Sequence, residues 1–275
     1  DRPHIAYVDG DRDQLIAGLR HSGQWSMETI SAGGQRLSLA VGSDDRPHLI
    51  IIQNDELFYW TKQGDAWVSE IIAGDKYPGL WRAWLVLDSQ NRPHIAYSGE
   101  IGSFLTYRQT DGKWAPEELP FETIDGLALG PADEPYLLHS ETTWTNPKYP
   151  FLYVDLSFAE RDGSGWQSTS IWGEEYMDWT DPYWDGRARL AVDAQQRIHI
   201  AVRSADSFWY DYMQRDERGA WFSEYPAWAY DGDIDLALGQ DDEPRLLLHD
   251  GSSLILSTRE YLWLDNFSFF PIMAR

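Results

Sequence analysis

The stretch Arg2-Pro3-His4-Ile5-Ala6-Tyr7 returns as Arg46-Pro47-His48-Leu49 and, residue for residue, as Arg92-Pro93-His94-Ile95-Ala96-Tyr97. Weaker copies stand at Glu134-Pro135-Tyr136-Leu137, Arg197-Ile198-His199-Ile200-Ala201 and Glu243-Pro244-Arg245-Leu246. The Pro position falls at 3, 47, 93, 135, 198 and 244, with spacings of 44, 46, 42, 63 and 46. Four near-equal steps and one lengthened by about 17 residues give six copies of one unit. Self-similarity at such a period marks a repeat architecture.

Each unit reads alike on either side of that segment. An alternating stretch precedes it, as in Leu37–Val41 and Ala188–Val192, and a polar turn such as Asp88-Ser89-Gln90-Asn91 leads into it. A third strand follows, as in Phe104-Leu105-Thr106-Tyr107, then a Gly/Asp turn, then a strand opening on Trp25, Trp67, Trp114, Trp166, Trp221 or Trp263. Short period-2 strands rich in aromatic and β-branched residues, separated by Gly, Pro, Asn and Asp, are antiparallel β-structure. No window carries a helical i, i+3, i+4, i+7 stripe. Four strands per unit at a period near 45 predict an all-β fold, a six-bladed β-propeller of four-stranded antiparallel blades. The chain is then a single domain, 1–275, with blades at roughly 1–34, 35–75, 76–121, 122–173, 174–228 and 229–275. The first unit lacks an innermost strand before Pro3. Either the C-terminal run Phe267 to Ile272 supplies it and closes the ring, or residues upstream of Asp1 do.

Composition narrows the class. Twenty-two Lys and Arg against 45 Asp and Glu give a formal charge of −23, which excludes a sequence-independent nucleic-acid binder and argues against docking on an anionic membrane. An apolar share of 43% with 15% aromatics calls for a large core. The absence of cysteine excludes disulfides, thiol catalysis and Cys-ligated zinc. No apolar run approaches the roughly 18 residues of a membrane helix. A monomer is expected, with no membrane insertion.

The turns entering the Trp strands, Asp111-Gly112-Lys113-Trp114 and Asp162-Gly163-Ser164-Gly165-Trp166, resemble a degenerate Asp-box. They depart from Ser-x-Asp-x-Gly-x-Thr-Trp in spacing and at the Ser and Thr positions. Together with the repeat they make the chain similar, over nearly its whole length, to six-bladed propellers of the sialidase-like or BNR-repeat kind. The closing Phe269-Phe270-Pro271-Ile272-Met273-Ala274-Arg275 resembles the short ends of some secreted bacterial proteins. That resemblance implies a secreted or cell-surface, bacterial-type protein.

In a four-stranded blade the loops after strands one and three share one face, and those after strands two and four share the other. The first set is short and repetitive, hence structural. The second varies and carries the unusual residues, as function-bearing loops do. It includes Trp81, Trp144, Tyr176, Trp179, Tyr183, Trp184, Trp228 and Tyr230, interleaved with Asp and Glu. Rings that stack on a pyranose beside carboxylates that accept from its hydroxyls suit sugar recognition. Counting back eleven from the Pro position gives Arg36, Arg82 and Arg187, three arginines at one register of the innermost strands, with Asp233 at the same register in another unit. Converging guanidiniums would select an acidic sugar, in a placement similar to the arginine triad of sialidases.

His4, His48, His94 and His199 recur at one register, which predicts one structural job, a hydrogen bond to a neighbouring turn, rather than a metal site. His139 and His249 stand off that register and are acid/base candidates. No cofactor is expected. Asp9-Gly10-Asp11-Arg12-Asp13 and Asp231-Gly232-Asp233-Ile234-Asp235 offer a surface calcium site as the one metal option, without the Gly and Glu of an EF-hand loop. The expected function is a carbohydrate-recognising propeller with one asymmetric central site for an acidic sugar, because the loops do not repeat. The alternative is a glycan-active enzyme on the same site. In a uronate lyase the arginines would neutralise the carboxylate, His139 or His249 would take the α-proton, and Tyr230 would protonate the leaving oxygen. A sialidase-like glycosidase needs a Tyr/Glu pair that does not stand out here. A protein-interaction platform is the third reading.

Overall fold

The computed structural model describes residues 3–73, 79–144, 151–177, 188–203, 209–228, 234–239, 241–249 and 254–258. Among these residues there are strands and turns and no helix. The strands form six antiparallel sheets, each a meander in chain order. The first sheet holds β1 (His4–Asp9), β2 (Gln14–His21) and β3 (Gln24–Ala32). The second holds β4 (Gln35–Val41), β5 (Pro47–Gln53), β6 (Glu56–Gln63) and β7 (Ala66–Ala73). The third holds β8 (Arg82–Leu87), β9 (Pro93–Gly99), β10 (Gly102–Arg108) and β11 (Trp114–Leu119). The fourth holds β12 (Thr123–Leu129), β13 (Pro135–Trp144), β14 (Phe151–Asp162) and β15 (Gly165–Met177). The fifth holds β16 (Ala188–Val192), β17 (Ile198–Arg203), β18 (Trp209–Arg215) and β19 (Trp221–Trp228). The sixth holds β20 (Ile234–Leu238), β21 (Pro244–His249) and β22 (Leu254–Thr258).

Each sheet coincides with one sequence unit. Among the described residues the first sheet has three strands, β1 to β3. Trp263 and the Phe267–Ile272 run proposed to close the ring lie outside the described residues. In the fourth unit the extra residues do not all form loops. Glu141–Trp144 continue β13, and Glu174–Met177 continue β15 past the expected boundary at 173. Strands of 10, 12 and 13 residues stand where the second sheet has 7, 8 and 8.

The turn between the first and second strands is one device used five times. Asp45, Asn91, Asp133, Gln196 and Asp242 all take the left-handed conformation, with φ between 58° and 63°. Each donates its amide to the carbonyl three residues back, as Asn91 does to Asp88 at 2.9 Å. Short polar side chains tolerate this region best, and these turns use them. Two turns place an Asp where the others have Gly42, Gly130 and Gly239. The Asp88 carboxylate accepts from the amides of Gln90 and Arg92 at 2.9 and 2.8 Å, from the Arg92 guanidinium at 2.6 Å and from His94 Nε2 at 3.4 Å. Asp193 repeats the set with Gln195, the amide and guanidinium of Arg197, and His199 Nε2 at 3.1 Å. His4 instead reaches Asp45, in the turn of the second sheet, at 3.1 Å. Three of the four recurring histidines, His4, His94 and His199, therefore serve the turns.

The chain divides into two compact units, Asp1–Ile124 and Asp125–Arg275, with the boundary inside β12. In the first unit Ile50, Ile52 and Tyr59 of the second sheet interlock with Ala83, Leu85, Ile95 and Tyr97 of the third. In the second unit Leu138, Leu156 and Phe158 of the fourth sheet pack on Ile198, Ile200 and Val202 of the fifth. Pro47 to Ile52 are buried without a break, because both faces of a middle strand are covered. This explains an unbroken apolar run in place of alternation. Each fully buried Ile in such a run contributes roughly 1.5–3 kcal/mol.

The repeated Trp has a defined partner. Glu28 of β3 accepts from Trp67 Nε1 at 2.8 Å and from Lys62 Nζ at 2.8 Å, and Lys62 lies over the Trp67 ring at 5.4 Å. One sheet on, Glu70 of β7 accepts from Trp114 Nε1 at 3.1 Å and pairs with Arg108 at 2.6 Å, with Arg108 over the Trp114 ring at 5.8 Å. The hydrogen bond from Lys62, followed by the one from Trp67, holds the Glu28 carboxyl below its ordinary value against the opposing effect of burial. The first and second sheets thus each lend a carboxylate to the cation and indole of the next. Glu70→Ala is expected to cost about 1 kcal/mol in chemical denaturation, since the ion pair is a third exposed. A double-mutant cycle with Arg108→Ala should return most of that figure as coupling.

Candidate functional site

The fourth sheet departs from the repeat, and its two faces differ in chemistry. One carries Leu138, Val154, Leu156 and Phe158 into the core. The other carries Tyr153, Asp155 and Ser157 along β14, with Glu141 and His139 opposite on β13 and Gly173 and Ser170 opposite on β15. Asp155 accepts from Ser157 Oγ at 3.2 Å and from Ser170 Oγ at 3.1 Å. Ser168 and Ser170 are exposed, and the Tyr153 ring is 37% exposed. Gly173 has a purpose here. A Cβ at that position would stand 2.1 Å from the Tyr153 hydroxyl, so the missing side chain gives the ring its bed. A ring, a carboxylate and two hydroxyls thus share one open face. Glycine 173 mutated to alanine is expected to displace the ring.

His139 lies deeper on this face, 3% exposed, with Nε2 2.6 Å from Ser168 Oγ. Burial drags its pKa down to about 4, only partly countered by the Asp155 charge. The imidazole is therefore neutral near pH 7 and a weak proton acceptor. At the same register the second, third and fifth sheets place Ile51, Tyr97 and Val202, all buried, and the first places Tyr7, 41% exposed.

Trp144 and Tyr176 are placed by their backbones. Trp144 pairs with Leu152, and Leu152 with Tyr176, so both stand in one cross-strand row at the far end of the extended sheet. Trp228 pairs with Trp209, a similar row that closes the fifth sheet. His249 ends β21 opposite Leu254. Trp179, Tyr183, Trp184, Arg187, Tyr230 and Asp233 lie outside the described residues.

Arg36 and Arg82 do not share a position. Arg82 opens β8 opposite Ser98 and is 7% exposed. Beneath it Ser98 Oγ accepts from the Ile124 amide at 2.8 Å and pairs with Ser103 Oγ at 2.8 Å, while the Trp81 amide donates to Ser98 O at 3.1 Å. The Trp81 ring is 38% exposed. In β4 the residue in the place of Arg82 is Gln35, opposite Ile52, because the pairing slips between Gln35 and Ser38. Arg36 sits in that bulge at φ 57°, exposed. A bulge inserts one residue and re-aims its neighbours, so equal spacing in sequence did not give equal placement. Arg189, two residues beyond Arg187, pairs with Asp235 of β20 at 3.3 Å and donates to Ala188 O at 2.9 Å. That pair was visible as Arg and Asp each nine residues before their Pro positions. The same Asp235 belongs to the acidic run read as a calcium option. In the other run, Asp9 accepts from the amides of Asp11 and Arg12 at 3.1 and 3.2 Å and so closes its own turn. Among the described residues no three His, Asp or Glu are grouped to hold a metal.

No protein-family model matches the chain, and no curated protein sequence does. Solved structures do. An α-L-arabinanase from Penicillium chrysogenum, complexed with arabinobiose, superposes with a TM-score of 0.58 at 11% identity, over 91% of this chain and 86% of its own. A putative gluconolactonase gives 0.51 at 13% identity, over 92% and 87%. A streptogramin B lyase gives 0.51 at 12% identity, over 88% and 74%. All are β-propeller proteins. Identities this low carry the fold and not the activity. This chain has the β-propeller fold.

Proposed function

We propose that the protein is a six-bladed propeller that binds carbohydrate on the exposed polar face of its fourth sheet. The observation that carries this reading is the open Tyr153 ring bedded on Gly173 beside Asp155 and the Ser168 and Ser170 hydroxyls. The ring offers a stacking face for the apolar side of a pyranose, and the carboxylate offers paired acceptors for its hydroxyls. Six sheets matching six sequence units support the blade count. The sugar-linked neighbour among the solved structures, the arabinanase seen with arabinobiose, adds support from fold analogy. With Nε2 held by Ser168 and a pKa near 4, His139 braces the face rather than abstracting protons. Asp155 and Glu141 favour a neutral, hydroxyl-rich ligand. The acidic-sugar alternative rests on Arg82 and is tested alongside.

The experiment is a glycan panel of neutral and uronic-acid oligosaccharides, followed by calorimetry on any hit. Tyr153→Ala is expected to weaken binding roughly tenfold or more. Arg82→Ala is expected to leave a neutral ligand's affinity unchanged. Silence across the panel, or binding indifferent to Tyr153→Ala, overturns the reading. Binding restricted to uronates and lost with Arg82→Ala moves the site to the acidic-sugar alternative.

A further inference from the structure

We propose that the groove between the second and third sheets, at the end bearing the first-to-second-strand turns, is a binding site for the carboxylate of a small-molecule ligand. The groove encloses about 290 Å³, and its lining includes Arg46, His48, Tyr59, Asn91, Arg92 and Arg108. None of its lining residues is acidic, in a chain of 45 Asp and Glu. The floor is His48, 5% exposed, whose Nε2 has no hydrogen-bond partner.

The repeat itself shows what belongs there. In the third and fifth sheets the equivalent histidines, His94 and His199, turn Nε2 to the carboxylates of Asp88 and Asp193. Those carboxylates also take the guanidinium of the residue before the Pro position, Arg92 or Arg197. The second sheet keeps the histidine and the arginine, as His48 and Arg46, but has Gly42 where the Asp stands. It is a carboxylate-binding arrangement with its own carboxylate removed. Asp44 replaces it only in part: it accepts from the Arg46 amide at 3.2 Å and lies 3.7 Å from the Arg46 guanidinium, without serving His48 Nε2.

The ring is arranged as in the fifth sheet. The Tyr59 hydroxyl lies 2.5 Å from His48 Nδ1, as the Tyr212 hydroxyl lies 2.6 Å from His199 Nδ1 while His199 Nε2 serves Asp193. In the tautomer with which His199 serves Asp193, His48 Nε2 carries N–H and is a buried donor without a partner beside the groove. Burial pulls the His48 pKa down to about 4, Asp44 opposing and Arg46 and Arg108 assisting, so the donor is a neutral ring. Arg92 and Arg108 each spend one edge on Asp88 and Glu70 and retain further N–H groups on a fork of five. An acceptor-rich planar carboxylate matches this donor set.

The test is a titration of the full chain with acetate and with glucuronate, with inorganic phosphate and glucose as comparators, read from the His48 ring nitrogens by 15N NMR. Both carboxylates are expected to shift Nε2 saturably, and glucose is not. Gly42→Asp with Asp44→Gln rewrites the turn as Asp-Ser-Gln-Asp, close to Asp88-Ser89-Gln90-Asn91, and should weaken carboxylate binding at least roughly tenfold. Arg46→Gln, on a half-exposed side chain, should weaken it without touching the fold. Tyr153→Ala should leave it unchanged, which separates this groove from the sugar face. No saturable shift in the wild type, a phosphate response as strong as that of the carboxylates, or turn-graft and Arg46 variants that bind like the wild type would each overturn the assignment.

Discussion

Lowering the pH from about 6.5 to about 4 is expected to remove several kcal/mol of stability before the turn carboxylates titrate. His48 and His139 are 5% and 3% exposed, and burial holds both near a pKa of about 4. The unfolded chain takes up these two protons near pH 6.5, and the folded one resists until about pH 4. Between those values the unfolded state binds more protons, so stability falls with pH. It is intact above pH 6.5. A shift of this size corresponds to roughly 3 kcal/mol per ring at the acid end. Urea midpoints taken across this range measure it. His139→Leu should remove about half of the slope. At neutral pH it should stay within about 1 kcal/mol of the wild type, since Ser168 is exposed and can turn its hydroxyl to water, and other sheets carry Ile51 or Val202 at this register. A flat wild-type profile would refute the argument, as would a slope that His139→Leu leaves unchanged.

Asp193→Ala is expected to cost roughly 3–5 kcal/mol, the figure for stripping one partner from a buried charged network. The carboxylate is 2% exposed, and its loss orphans two amides, the Arg197 guanidinium and His199 Nε2, the last on a ring fully out of solvent. Burial alone would raise the Asp193 pKa. The Arg197 amide, the hydrogen bonds from His199 and the Arg197 guanidinium outweigh it and hold the pKa below 3.8. Its contribution is therefore complete above the usual carboxylate range and fades only as the pH falls further, beneath the histidine limb. Asp162→Ala, in an exposed turn, serves as the control and should cost far less. Equal costs for the two variants would show that burial of the network contributes nothing.

The architecture was legible because the turns and the Trp strands are local chemistry repeated at fixed spacing. Pro-His segments, left-handed Asp and Asn positions and closing Trp residues announce themselves without tertiary information. The structural role of His4, His94 and His199 followed from recurrence itself, while His48, at the same register, makes no bond to a turn. The arginine register failed at Arg36 because a bulge is invisible to counting: one inserted residue moved Gln35 into the slot matching Arg82. The length surplus of the fourth unit read as loop, whereas part of it pairs as strand and exposes Tyr153 on a widened face. Tyr153 was missed because its value depends on Gly173, a cross-strand neighbour twenty residues away. His139 stood out in the sequence as unlike its counterparts and was read as an acid/base candidate. Its depth, which sets its basicity, is a property of packing that no spacing reveals.

The Glu28 and Glu70 contacts have a direction. In each case the acid comes from the earlier sheet and the indole and cation from the later one. A ribosome delivers the chain in that same order, so the strands opening on Trp67 and Trp114 each meet a receptor already in place upstream. Domains assemble from the N-terminal side during synthesis, and nearest-neighbour coupling lets order propagate from a folded template. The first three sheets can therefore grow by accretion, each finished sheet serving as the mould for its successor.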